Sequence, residues 1–375
     1  MAECRVAYLT LQATTEGQGA HTHVHGIIEG LERLGWAVDL FEPGYSGGAA
    51  PGAPGRLAEF ARVQRRLIRC LRTGHYDALY IRGHALAWLA ARAARRLGVP
   101  VIQECNGPYT DFYAMWPRAR LAKPVIEYMA RSQFARATAR IAVTPELASW
   151  LEAETGSPAA IIGNGADTGL FTPEARSSHS ATLPERYAVF FGALSPWQGI
   201  DLLLDAAEHE DWPNGVALIM VGDGVLRPKV DRAATTSTRV VAAGVVPYHE
   251  VPGIVSGSIA SMVLSHRPAE WGLSPLKLYE SMACGTPVVV ADVPGTSTVV
   301  REHGCGVVVP LDDSAGVARA VGYIASHPEA AGEMGVRGRE ASERHYSWRA
   351  RAEATSEVIE DAIRTRRGDP PCAGR

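Results

Sequence analysis

Short apolar runs alternate with amphipathic helical stretches along nearly the whole chain, and that alternation limits the fold more than any other feature. Strands are expected at Val6–Leu11, Ala37–Phe41, Ala78–Ile81, Val101–Glu104, Ile141–Val143 and Ala160–Ile162. Helices are expected between them at His21–Leu34, Leu57–Arg72, Ala85–Leu97, Val125–Ala139 and Pro145–Glu154. Residues 173–184 are polar and punctuated by proline, a linker composition. The alternation then restarts, with strands at Tyr187–Phe191, Ala217–Val221, Arg239–Ala242, Ile259–Leu264, Pro287–Val290 and Val307–Val309. Successive strands separated by helices pair in parallel. The expected fold is α/β, two doubly wound Rossmann-like domains (1–172 and 185–345) facing a central cleft, with a C-terminal segment, 346–375.

With 375 residues, 46% hydrophobic and 21% charged, the chain has the size and composition of two globular domains. No apolar run is long enough to span a bilayer and no signal peptide opens the chain, so a cytoplasmic protein is expected. Six cysteines without CxxC spacing indicate neither a zinc site nor a disulfide framework. Residues 1–172 hold 18 Lys+Arg against 15 Asp+Glu (+3), leaving 19 against 25 (−6) for the rest of the −3 total. That excess is too small for a nucleic-acid binder, but it leaves peripheral membrane contact open. The Leu57–Arg72 helix, with Leu57, Phe60, Gln64, Leu67 and Leu71 on one side and five arginines on the other, reads either as a solvated arginine face or as such a surface. Oligomeric state is not legible.

The densest chemistry lies in His266–Asp292, HRPAEWGLSPLKLYESMACGTPVVVAD. A strand runs into a polar loop, then Ser274 and Pro275 open a short helix, with Ser274 as N-cap and Pro275 at the first helical position. The free amides of Leu276 and Lys277 suit an anion at the positive end of the helix dipole. Glu280, about one turn on, lies within reach of a hydroxyl pair attached to that anion. Read alone, the stretch is equally an ordinary capped helix between two strands.

Several segments in order resemble the retaining GT-B glycosyltransferases of family four (glycosyl transferases group 1). They are the glycine loop Gly17–Gly19, Asn164-Gly165-Ala166-Asp167, Phe191-Gly192-Ala193-Leu194 with Pro196-Trp197-Gln198-Gly199, Val221-Gly222-Asp223-Gly224, Gly244-Val245-Val246-Pro247, and the run from Glu280 to Val289. The resemblance implies a nucleoside-diphosphate sugar as donor (UDP- or GDP-sugar), a hydroxyl of a small molecule as acceptor, no metal or other cofactor, and a final helix, Trp348–Thr365, returning to the first domain. It places Glu280 on the donor ribose, the amides of Leu276 and Lys277 on the diphosphate, and Val245 at the base. Gly17, Gly19, Gly192, Gln198, Gly222, Gly272, Leu273 and Ser274 complete the implied donor set.

The departures from the family pattern are specific. Ala193 and Gln198 stand where an Arg and a Lys contact the diphosphate, so Lys277, and Arg267 in the preceding loop, are the candidate replacements. Gly272 stands in place of an acid, with Glu270 as its candidate substitute. Asn106 replaces a first-domain His; it can hydrogen-bond a sugar hydroxyl but cannot take its proton. Asn106, Glu270 and Lys277 are the candidate catalytic residues, and His21, His23, Arg82, His84 and Asn106 the candidate acceptor contacts. His21, His23 and His25 form H-x-H-x-H, but on a helix only His21 and His25 share a face, which disfavours a metal. The alternatives are a degenerate nucleotide-sugar binder, motivated by the missing cations, and a nucleotide-sugar 2-epimerase of the same fold. An NAD enzyme is poorly served, because Gly17-x-Gly19 lacks the third glycine of that fingerprint.

Overall fold

The computed structural model describes residues 4–14, 17–45, 51–108, 113, 117–266 and 271–367. The chain divides into two compact units, one comprising Met1–Gly163 with Arg351–Arg375 and the other Asn164–Ala350. Each holds a six-stranded parallel sheet. In the first the strands are β1 (Arg5–Leu9), β2 (Ala37–Phe41), β3 (Ala78–Arg82), β4 (Val101–Cys105), β5 (Ala139–Ala142) and β6 (Ala160–Ile161). Their spatial order is β2-β1-β3-β4-β5-β6, so the winding reverses between β1 and β3.

The second sheet holds β7 (Tyr187–Phe191), β8 (Ala217–Val221), β9 (Val240–Gly244), β10 (Ala260–Val263), β11 (Val288–Ala291) and β12 (Gly306–Val309). Its order is β12-β11-β10-β7-β8-β9, with the reversal between β7 and β10. Ligand crevices of doubly wound sheets open at the carboxyl ends of the strands flanking such a reversal. The period of two along β7 sorts its side chains between two cores. Ala188 and Phe190 join one apolar cluster, while Tyr187, Val189 and Phe191 join the other. A strand buried on both faces has no polar side to show, which is why these strands read as continuous apolar runs.

Beyond shifts of a few residues at element ends, three features differ from the sequence reading. The first unit ends at Gly163 rather than at 172, because Ala166 N–H bonds the Tyr346 carbonyl at 2.8 Å and Trp348 N–H bonds the Ala166 carbonyl at 3.0 Å within the second unit. Residues 173–184 are no linker. Ser178 bonds both oxygens of Glu250 at 2.8 and 2.9 Å, and a Cβ added to Gly253 would lie 2.2 Å from Arg176 carbon. A helix at Thr296–His303 was not expected at all; its Thr and Val residues are weak helix formers, and Gly304 in the left-handed conformation stops it. The final helix, Trp348–Arg367, belongs from Arg351 onward to the first unit, where Trp36 Nε1 donates to Ser356 Oγ at 2.9 Å.

Candidate active site

In the second unit the loops after β7, β8 and β9 are bonded to one another at the strand ends. Gly192 N–H donates to the Val221 carbonyl at 3.0 Å, Leu194 N–H to the Asp223 carbonyl at 2.8 Å, and Gly222 N–H to the Gly244 carbonyl at 2.7 Å. Glycine is needed at Gly222, where φ is +130° and an added Cβ would lie 1.9 Å from the Gly192 oxygen. Val245, just past β9, is 71% exposed.

Across the β7/β10 reversal stands the helix Leu276–Ala283. Pro275, not Ser274, is its N-cap, and among the described residues no side chain caps its first amides. Ser274 is occupied otherwise: its Oγ accepts from Asn164 N–H at 2.9 Å and meets the Tyr279 hydroxyl at 2.9 Å. Leu273 is pinned as its N–H donates to the Pro294 carbonyl at 2.9 Å, after Gly272 turns the chain at φ +68°. The amides of Leu276 and Lys277 therefore remain the uncapped positive end of the helix.

Lys277 runs beneath the β7 loop. Its Nζ donates to Gln198 Oε1 at 2.7 Å, lies 4.0 Å from the Phe190 ring centroid, and would be 3.5 Å from a Cβ on Gly192. Burial pushes this ammonium down to about 7, against the pull of Glu280. Glu280 is also buried, its Oε1 accepting from the Tyr248 hydroxyl at 2.7 Å. Burial pushes its carboxyl up to about 7, with Tyr248 and Lys277 opposing. Two titratable groups on one helix are thus both displaced toward neutrality by desolvation. Tyr248 was missed in the sequence, where it reads only as the start of a helix; it comes from the turn Tyr248–Glu250. Arg267 and Glu270 lie outside the described residues.

The first unit carries its polar groups at the ends of β1, β3 and β4. Tyr8 and Tyr80 stack at 4.7 Å between centroids, and Glu104 sits beside them almost fully buried. His23 Nε2, on the helix Gly19–Arg33, lies 2.9 and 3.0 Å from the two Glu104 oxygens. Tyr80 hydroxyl and Asn106 Nδ2 also donate to that carboxylate, and Arg82 Nε lies 3.8 Å away. Burial alone would raise the Glu104 carboxyl, but His23, Arg82 and Tyr80 outweigh it and hold it at about 2. Glu104 was not singled out in the sequence, although a carboxylate inside an apolar parallel strand was the available signal.

Arg82 also donates to Gln12 Oε1, and His84 accepts from Leu86 N–H at 3.2 Å while its ring meets Phe60 edge-on at 5.2 Å. Desolvation pushes the His84 imidazole down to about 4, so it is neutral at pH 7. His21 and His25 lie ring to ring at 4.1 Å, and no group of three candidate metal ligands gathers among the described residues. Gly17 turns at φ +82° just before the helix that Gly19 begins.

Leu57, expected on the buried side of its helix, is 55% exposed. With Phe60 of the same helix, Ala53–Thr73, it lines a cavity of about 790 Å³ that also reaches Arg82, His84 and Asn106. No helix among the described residues is long and apolar enough to cross a membrane.

Comparison with known proteins agrees with this layout. Residues 17–170 match the family described as Glycosyltransferase Family 4, and residues 185–327 match Glycosyl transferases group 1. A D-inositol 3-phosphate glycosyltransferase of Streptomyces bingchenggensis is 26% identical over 349 residues, 85% of this chain and 74% of that protein. A GDP-mannose-dependent alpha-mannosyltransferase of Mycolicibacterium smegmatis is 26% identical over 336 residues, 82% of this chain and 85% of the relative. Among solved structures, sucrose-phosphate synthase of Thermosynechococcus elongatus superposes with TM-score 0.76 at 18% identity, covering 96% of this chain and 100% of that one. Anabaena HepE in complex with UDP and glucose superposes with TM-score 0.69 at 18% identity, covering 95% and 99%. The fold is GT-B, and by both of its halves the chain belongs to the group 1, family 4 glycosyltransferases.

Proposed function

We propose that this glycosyltransferase moves a hexosyl group, with retention of configuration, from a nucleoside-diphosphate sugar to a hydroxyl of a small-molecule acceptor. The second unit holds the donor and the first the acceptor. The observation that carries this reading is the convergence at the β7/β10 reversal of the uncapped Leu276 and Lys277 amides, the Lys277 ammonium and the buried Glu280 carboxylate. The amides and Lys277 face the diphosphate, and Glu280, steadied by Tyr248, accepts from the ribose hydroxyls. Lys277 answers the lack of cations at Ala193 and Gln198: its amine already donates to Gln198, so one cation reaches that loop from below. This favours transfer over a degenerate binder.

Retaining transfer without a protein nucleophile requires the leaving diphosphate to be stabilised and the attacking hydroxyl to be oriented. Fixed amides and a buried ammonium do the first at little reorganisation cost, and a water-poor setting strengthens them. Relatives named for GDP-mannose and structures solved with UDP support a nucleotide donor without selecting the base.

The test is calorimetry and thermal shift with UDP, GDP, ADP, TDP and CMP. One diphosphate is expected to stabilise the protein, and Glu280→Ala and Lys277→Ala to weaken it by about tenfold or more each, as loss of a charged hydrogen-bond partner does. Absence of binding by all five would end the donor assignment.

A further inference from the structure

We infer that the acceptor is an alcohol or phenol with an apolar body, bound in the cavity of the first unit; the term acceptor rests on the transferase reading above, but the cavity's preference does not. The cavity lies where residues after β1, β3 and β4 converge, closed by the helices Ala53–Thr73 and Lys123–Ala135. Its volume of about 790 Å³ fits a molecule of several rings, within the roughly 300–1,000 Å³ of ordinary small-molecule sites.

The wall is apolar. Leu11, Leu57, Phe60, Leu86, Ile126 and Phe134 supply it. Leu57 departs from its helix's core-facing stripe, 55% exposed, while Val63, Leu67 and Leu71 further along are buried. An apolar side chain that the core does not cover, set on a concave wall with others like it, gains from an apolar ligand. His84 stays neutral at pH 7 and turns its ring to Phe60, so it adds no charge.

Gln12, Arg82 and Asn106 form one polar spot on this lining, which also holds Tyr45, Arg56 and the neutral His84. Their donors are already aimed: Arg82 donates to Gln12, and Asn106 Nδ2 donates to the buried Glu104. With its amide nitrogen held there, Asn106 has its carbonyl oxygen to accept a hydroxyl proton. The arrangement suits one hydroxyl on an otherwise apolar molecule. A phosphorylated polyol is poorly matched. The lining contains Arg56 and Arg82, and Arg82 already lies 3.8 Å from the Glu104 carboxylate, which offsets its charge.

The test uses the full chain, with calorimetry and thermal shift against 2-naphthol, a hydroxysteroid, geraniol and myo-inositol 1-phosphate. UDP and GDP are titrated in parallel to report the donor site. At least one apolar alcohol or phenol is expected to bind, the ring compounds and the chain alcohol distinguishing a rigid from a flexible occupant. Leu57→Asp and Ala122→Trp, both at exposed lining positions, are expected to weaken that binding by about tenfold or more while leaving diphosphate binding unchanged. Binding of inositol phosphate alone, or of none of the four, overturns the inference even where a diphosphate binds. Binding of the apolar compounds without any diphosphate leaves the cavity's preference standing and removes the transferase reading instead.

Discussion

Lys277 and Glu280 titrate against each other across neutrality, and their signs are opposite. Glu280 is raised from 4.5 to about 7, so the folded protein binds more protons than the unfolded chain between those values, and stability falls as pH rises through that window. Lys277 is lowered from 10.5 to about 7, so the unfolded chain binds more protons above 7, and stability rises from there toward 10.5. Glu280→Gln is expected to abolish the fall between 4.5 and 7, read as urea midpoints across pH; persistence of the fall would assign it to another group. In the proposed complex the diphosphate lies beside Lys277 and would raise its value again. At pH 8, diphosphate binding is therefore expected to take up roughly one proton, seen as a buffer-dependent calorimetric enthalpy. Lys277→Met should remove that dependence. Glu104 behaves in the ordinary carboxylate sense: lowered from 4.5 to about 2, it stabilises above 4.5 and loses that contribution as pH falls through about 2. The contribution is on the order of 3 kcal/mol, so Glu104→Gln is expected to be less stable at pH 7 and flatter in acid. Glu280 was legible because the run around it is local and continuous. Tyr248 was not, since it joins Glu280 from a turn some thirty residues earlier, and Glu104 was passed over because most of its partners are distant in sequence: His23 comes from the first helix and Tyr80 and Arg82 from β3.

At the scale of elements, the proposed donor site is held by close backbone approach at its glycines. Gly222 and Gly224 admit the β7 loop at distances no Cβ allows, with Gly224's added Cβ 2.6 Å from the Leu194 oxygen. Gly17 has the same kind of positive φ, but a Cβ added there would meet nothing within 4 Å among the described residues. The two glycines thus separate conformational strain from collision. Gly17→Ala is expected to cost about 1 kcal/mol, the strain alone. Gly222→Ala adds a backbone clash, is expected to cost about 3 kcal/mol or more, and should displace the β7 loop enough to lose diphosphate binding. Equal destabilisation in urea would refute the distinction. The glycine turns and most elements around them were readable, because Gly and the apolar periods are local signals. The helix Thr296–His303 was not, since its β-branched residues favour strand locally and only packing of Val299 and Val300 into the core makes it helical. Likewise the cap moved from Ser274 to Pro275, because Ser274 is recruited by Asn164, distant in sequence.

The whole molecule consists of two units with separate cores, and the last helix is the one element that starts in the second unit and completes the first. It begins in the second unit, where Trp348 bonds Ala166, and continues into the first. Ala352, Ile359 and Ala362 are buried, and Arg366 Nε donates to the Gly98 carbonyl at 3.1 Å. The first unit therefore lacks part of its core until this helix has been made. The return of this helix was expected only from resemblance; an amphipathic helix shows that it must pack, not against what. Two cores predict two unfolding transitions, because cooperativity extends only as far as shared packing. Ile359→Ala empties a fully buried position and should cost about 2–5 kcal/mol, on the first unit's transition. Under the proposed function a nucleoside diphosphate occupies the second unit, so its addition should raise the other transition alone, by an amount set by its concentration over Kd. Scanning calorimetry of the wild type and Ile359→Ala, each with and without the diphosphate, separates the two effects. If the substitution lowered the ligand-responsive transition as much as the other, the helix would belong energetically to both units, and the division at Gly163 and Arg351 would not mark independent folding.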